Sequence, residues 1–222
     1  MRVTIYCLII IAFFCGCSHE EPVSDDLPSK EDLDARYGSQ WNDEKYRATR
    51  TADAEDYLTR EEQEIFYYLN LMRINPPLFA QTYVAGYNGD EGWEKGYAWA
   101  ERKASLIAEL QKMNPLPLLY PDERLYGLAR CFASEGGKLG VVGHDRSQTG
   151  CATTYSAECC TYGGAENGLS IIMAFLIDAG ENNGALEHRK ICFQSEYVKL
   201  GASIQPHITY KINAVLNFGI GN

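Results

Sequence analysis

Basic side chains are outnumbered, histidines are scarce and long apolar runs are missing from this 222-residue chain. Lys and Arg total 20 against 30 Asp and Glu, a formal charge of −10 with a pI near 4.9. A nucleic-acid binder needs a basic stripe to release phosphate counterions, and a protein adhering to anionic lipid by its own surface needs a basic face. The composition argues against both. The longest uninterrupted apolar run lies at the extreme N-terminus and falls well short of the ~20 residues a membrane-spanning helix requires. A multispan protein is excluded. No HExxH, GxSxG, GK[ST] or CxxC occurs. The compact signatures of a zinc peptidase, a serine hydrolase, a phosphate loop and a zinc knuckle are therefore all missing. No internal repeat is visible.

What is present begins with an address. Met1-Arg2 supplies positive charge, Tyr6 to Phe14 is almost entirely apolar, and Cys15-Gly16-Cys17 follows. A charged start, a short hydrophobic stretch and small residues before a cut site describe a secretory signal. Its ending resembles the lipobox of bacterial lipoproteins. That resemblance implies a signal peptide over 1–17 and an acylated Cys17, with plain secretion as the alternative. The protein would then be exported and lipid-anchored to the bacterial envelope, with the bilayer as partner, because multiple acyl chains hold what its composition could not. From 18 to 58 acidic residues outnumber basic ones, aliphatics are few, and Pro22 and Pro28 interrupt. This reads as a flexible acidic tether, unable to bury enough apolar surface to offset its ordering entropy. Glu20, Glu21, Asp25 and Asp26 resemble surface-export signals of some bacterial lipoproteins; a merely solvated spacer would look the same.

The folded domain is expected over 59–222. Thr59-Arg60-Glu61-Glu62 has capping-box spacing, Ile65, Tyr68 or Leu69, and Met72 share a helical face, and Asn75-Pro76-Pro77 ends the helix. Trp93, Tyr97, Ala100, Ala104 and Ile107 predict a second amphipathic helix, and Asp122 caps a third with Leu125, Leu128, Ala129 and Phe132 inward. Gly136 to Gly164 reads as a long irregular loop, and a fourth helix spans about 169–179. The period then switches to two over Val198–Ile204 and Tyr210–Phe218, an antiparallel hairpin turning at Pro206-His207. Helices followed by a hairpin make an α+β fold. Of eight cysteines, Cys131, Cys151, Cys159, Cys160 and Cys192 remain once the signal and Cys17 are set aside. An exported chain can form disulfides, and Cys151 with Cys159 or Cys160 could close a small loop. Five is odd, so at least one thiol stays unpaired within the chain.

Four histidines exist; His144, His188 and His207 lie in the expected domain, each at an element boundary. Two imidazoles and a carboxylate gathered from separate loops can bind a divalent metal or perform acid–base work. Polar loop residues that merely satisfy one another would give the same spacing.

Glu64-Ile65-Phe66-Tyr67-Tyr68-Leu69-Asn70-Leu71-Met72-Arg73 with Asn75-Pro76, then Leu116-Pro117-Leu118, Gly143-His144 and Gly164-Ala165-Glu166-Asn167, follow in order. Leu176-Ile177-Asp178-Ala179-Gly180 with His188-Arg189-Lys190-Ile191, and the closing hairpin, complete the series. Together they resemble the CAP superfamily (cysteine-rich secretory proteins, antigen 5, pathogenesis-related 1), whose module is also called the SCP domain. The likeness covers roughly 60–220. It implies a three-layer α-β-α sandwich with a small antiparallel sheet. It also implies a central cleft of two histidines and acidic residues, which in some members holds zinc or another divalent cation. By position the cleft residues would be His144, Glu166 and His188, with Asp178, Glu181 and Glu187 as further acidic candidates. Asp145 and Asn167 would support them by orienting imidazoles or capping the fourth helix. Ala165 replaces the Gly of the family's GEN, and Glu187 the Gly before its second histidine. The function implied is a binding or interaction module with a small-molecule lipid or protein partner. The alternative is a metal-assisted hydrolase with Glu166 as general base. The lipobox reading has a direct check: labelling with a radioactive fatty acid marks the wild type and not Cys17→Ser, and equal label in both refutes it.

Overall fold

Residues 30–89, 98–164, 167–179 and 185–221 are described by the computed structural model. The signal, Cys17 and the acidic run after it lie outside them. Residues 30–58, expected within a tether, are instead folded. Helix α1 (Lys30–Tyr37) is followed by 3-10 turns at Gly38–Trp41 and Glu44–Thr49. Leu33, Trp41, Tyr46, Ala52 and Leu58 are buried in the main core. These anchors are too sparse to give an acidic stretch an apolar character, yet each fills a site on the body. Asp34 adds a polar latch, accepting from the hydroxyls of Tyr68 (2.8 Å) and Tyr83 (2.9 Å).

Helix α2 (Arg60–Ile74) starts as its capping box requires. The Thr59 hydroxyl accepts from the Glu62 amide at 3.2 Å, and Glu62 Oε2 accepts from the Thr59 amide at 3.0 Å. The other Glu62 oxygen accepts from the Ile204 amide at 2.8 Å, so one buried carboxylate both starts the helix and fixes it to the sheet. Asn75 ends α2 and caps the single turn α3 (Pro76–Phe79), which runs into a π-helical turn at Ala80–Val84. In α4 (Trp99–Leu110) the buried stripe is Arg102, Leu106 and Leu110, whereas Ala100 and Ala104, expected inward, are exposed. A buried arginine disguises the stripe: the Arg102 carbonyl accepts from the Arg189 guanidinium at 2.9 Å. Trp93 and Tyr97 lie outside the described residues.

After the two-residue strand β1 (Tyr120–Pro121), Asp122 caps α5 (Glu123–Leu139), accepting from the Leu125 amide at 2.9 Å. Leu125, Ala129 and Phe132 are buried as expected, and Leu128 partly so. The helix continues through Gly136 and stops at Gly140, whose φ of 73° suits glycine. The expected loop from Gly136 to Gly164 also contains a strand, β2 (Ala157–Tyr162). Next come α6 (Gly168–Ile177), α7 (Glu187–Cys192), β3 (Tyr197–His207) and β4 (Lys211–Ile220). The hairpin turns at 208–210 rather than at Pro206-His207. His207 Nδ1 accepts from the amides of Thr209 (3.1 Å) and Tyr210 (3.2 Å), which closes that turn.

The fold is α+β around a mixed four-stranded sheet in the order β1-β3-β4-β2, with β1 parallel to β3 and the other pairs antiparallel. Leu200, Ala202, Ala214, Leu216, Phe218 and Cys159 face the core shared with α2 and α6. Val215 and Cys160 face Ala129, Phe132 and Ala133 of α5. A Cβ on Gly201 would overlap the backbone of Leu125 and Tyr126, so glycine sets how closely α5 approaches. Cys131 of α5 pairs with Cys151. The expected partners were unsuited: Cys159 faces the opposite side of the sheet, and Cys160 lies beside His144. Cys159, Cys160 and Cys192 remain free and buried.

Arg73 is fully buried at the centre of these connections. Its guanidinium donates to the carbonyls of Pro117 (2.6 Å), Cys192 (2.9 Å), Gln194 (3.1 Å) and Tyr197 (2.8 Å). Burial lowers its pKa to about 10, so it stays charged at neutral pH. Arg73→Met keeps the stem and orphans four carbonyls; urea unfolding is expected to show a loss of about 3 kcal/mol.

Candidate functional site

A cleft of about 320 Å³ runs along β2, the outer strand of the sheet on that side. Val142, Gly143 and His144 wall it from one direction; Ala174, Phe175, Asp178 and His188 wall it from the other. Cys160, Thr161 and Tyr162 form its floor, and Tyr210 from the hairpin turn closes one end. His144 and His188 thus share one hollow although they arrive from different elements.

His144 is delivered by the segment after α5. The Tyr162 hydroxyl accepts from the Gly143 amide and donates to the Gly143 carbonyl, both at 3.0 Å. His144 Nδ1 lies 3.0 Å from Glu158 Oε1. Glu158 is buried on β2 and heavily subscribed. Its Oε1 also accepts from the Tyr155 hydroxyl at 3.2 Å, and its Oε2 from Arg146. The Asn217 amide, oriented to satisfy both neighbours, donates to Oε2 at 2.9 Å and accepts from the Ala129 amide at 3.0 Å. Arg146 is itself buried, with its guanidinium 4.2 Å from the Phe132 ring centroid. A buried ion pair persists when further hydrogen bonds satisfy its remaining lone pairs, and this one has them.

His188 opens α7. Its Nδ1 lies 2.9 Å from Asp178 Oδ1, and its amide donates to Asp178 Oδ2 at 3.1 Å. Asp178 caps the C-terminus of α6 in the left-handed region, at φ 58°, where Asp is among the few side chains tolerated. Phe175 packs on the imidazole with ring centroids 5.3 Å apart. Each cleft histidine therefore has a buried carboxylate at Nδ1. That partner holds the proton on Nδ1 and makes Nε2 the basic, metal-competent nitrogen.

Cys160 Sγ lies 3.7 Å from His144 Nδ1, and ligand atoms of His144, Glu158 and Cys160 fall within 4.8 Å of one another. Glu158 is committed to Arg146, Tyr155 and Asn217, so its part is to orient the imidazole. Burial, and secondarily the Glu158 charge, push the Cys160 thiol pKa up. Such a thiol is a poor nucleophile, and the imidazole nitrogen nearest it already faces a carboxylate.

Of the other expected site residues, Glu166 and Glu181 lie outside the described residues. Asp178 joins the cleft through His188. Glu187 does not: it is exposed and pairs with Lys190 at 2.9 Å, because the start of α7 turns it to solvent. Asp145 orients no imidazole. It is exposed and accepts from the Ser147 amide at 2.8 Å, a turn contact that lowers its pKa. Asn167 caps α6, accepting from the Ser170 amide at 3.0 Å. His207 is structural, its Nε2 lying 3.1 Å from the Val141 carbonyl. Sequence reasoning missed Glu158, Arg146, Tyr155 and Asn217. No periodic signal pointed to them, since Glu158-Cys159-Cys160-Thr161-Tyr162 does not alternate polar with apolar residues.

Comparison with protein-family models, curated proteins and solved structures gives no match.

Removing the carboxylate should cost more than removing the imidazole. Glu158→Gln strands the buried Arg146 charge and is expected to lose about 3 kcal/mol in urea unfolding. His144→Ala, at an exposed side chain, should change stability by less than about 1 kcal/mol.

Proposed function

We propose that this is an exported, lipid-anchored protein of CAP/SCP type, an α-β-α sandwich that works as a binding or interaction module. In this reading its cleft holds zinc or another divalent cation between His144 and His188. The observation that carries it is the pair of histidine–carboxylate couples, His144–Glu158 and His188–Asp178, on one cleft. A carboxylate at the far nitrogen is what metal-ligating histidines ordinarily have. A bound ion would supply Lewis acidity and a cross-link between the two walls. Helices against both faces of the sheet are in keeping with the sandwich. No helix among the described residues is long and apolar enough to cross a membrane, so attachment in this reading rests on Cys17. A small-molecule lipid or a protein is the class of partner it would serve. Binding is favoured over hydrolysis because the carboxylates beside the cleft histidines, Glu158 and Asp178, are both bonded to them.

Calorimetric titration of the full chain with zinc is expected to give a saturable signal. His144→Ala and His188→Ala should each weaken it by at least about tenfold. No heat with the wild type overturns the metal reading.

A further inference from the structure

The floor of the cleft is a strand edge. Among the described residues β2 pairs on one side only, with β4, in the antiparallel register Glu158↔Asn217, Cys160↔Val215 and Tyr162↔Asn213. The Gly163 amide donates to the Ile212 carbonyl at 3.0 Å, which turns the amide and carbonyl groups of odd-numbered β2 residues toward β4. The other side of β4 agrees. Pro206, which has no N–H, stands opposite Ile212, at a place where the β3–β4 ladder needs none. The backbone groups of Glu158, Cys160 and Tyr162 consequently point outward. Among the described residues, no backbone or side-chain hydrogen bond takes them up. Cys160 and Tyr162 line the cleft, so this unpaired row opens into it.

We infer that the cleft receives an extended peptide, added to the open edge of β2 as a fifth strand, with apolar side chains against Val142 on one wall and Phe175 on the other. Any occupant that excludes water here must hydrogen-bond the outward amides and carbonyls, because burying them unpaired is costly. A hydrocarbon chain cannot do so. A peptide backbone can, since its own groups repeat at the same ~6.8 Å two-residue spacing. The alternating side chains of the added strand fall to the two walls, one toward His144 and Val142, the next toward His188 and Phe175. The cleft volume accommodates only a short stretch, so the specificity lies in one or two side chains. This inference deepens the binding reading of the same cleft and does not require an ion in it.

The test uses the full chain labelled with 15N, with EDTA present, so that failure to bind metal and failure to bind peptide are separate results. The probe is a blocked five-residue peptide of alternating threonine and valine around a central phenylalanine. Its twin is N-methylated at every interior amide. Saturable binding is expected, with shifts and slowed hydrogen exchange at the Cys160 and Tyr162 amides and little change at Cys159 and Thr161. The twin should bind at least about tenfold more weakly, the equivalent of one or two lost hydrogen bonds. Equal binding by the twin, shifts without the alternation, or no saturable binding by the parent peptide overturns the inference.

Discussion

Four side chains converge on the buried carboxylate of Glu158. Arg146 and Tyr155 bring in the segment between α5 and β2, and Arg146 also donates to the Leu128 carbonyl of α5 at 3.3 Å. Asn217 joins β4 and, through Ala129, the middle of α5. His144 is the member that reaches the cleft. A buried carboxylate without such company would be protonated or expelled; with it, the group fixes a segment of little regular structure against the sheet. The orientation of one cleft imidazole follows from that arrangement. The Cys131–Cys151 disulfide ties the same segment to α5 covalently.

Polar side chains play the same part elsewhere, on the irregular connections that apolar packing holds poorly. Arg73 and Arg189 are both buried, and both spend their guanidinium donors chiefly on backbone carbonyls. Arg189 collects the carbonyls of Leu176 and Ile177 at the end of α6 and that of Arg102 in α4, which steadies the region next to His188 and Asp178. Asn70 works similarly: its amide donates to the Thr49 and Leu119 carbonyls, and its oxygen accepts from the Leu119 amide. Where carbonyls converge without a helix or sheet to satisfy them, a planar side chain with several donors is an effective substitute.

The sequence was most legible where a local rule acts alone. The capping box at Thr59, the caps at Asp122 and Asn167 and the two-residue period of β3 and β4 depend on neighbours in the chain, and all are found where expected. It was least legible where tertiary partners decide. β2 was hidden because two adjacent cysteines carry no polar–apolar contrast, although one faces the α5 layer and the other the main core. Residues 30–58 read as solvated because five buried anchors are diluted by acidic neighbours. Glu158 went unnoticed for the same reason as Arg102: a charged residue on an inward face contradicts the pattern that periodicity detects, and only its distant partners make the position tenable. His144 and His188 were named from motif resemblance and do share the cleft, whereas the carboxylate seen beside His144 is Glu158.

The two cleft histidines stand on either side of a single strand. Each is held by a different buried carboxylate, His144 by Glu158 and His188 by Asp178, and the two carboxylates stand on separate elements. The two walls are therefore independently adjustable: a substitution at one carboxylate loosens its own imidazole and leaves the hold on the other intact.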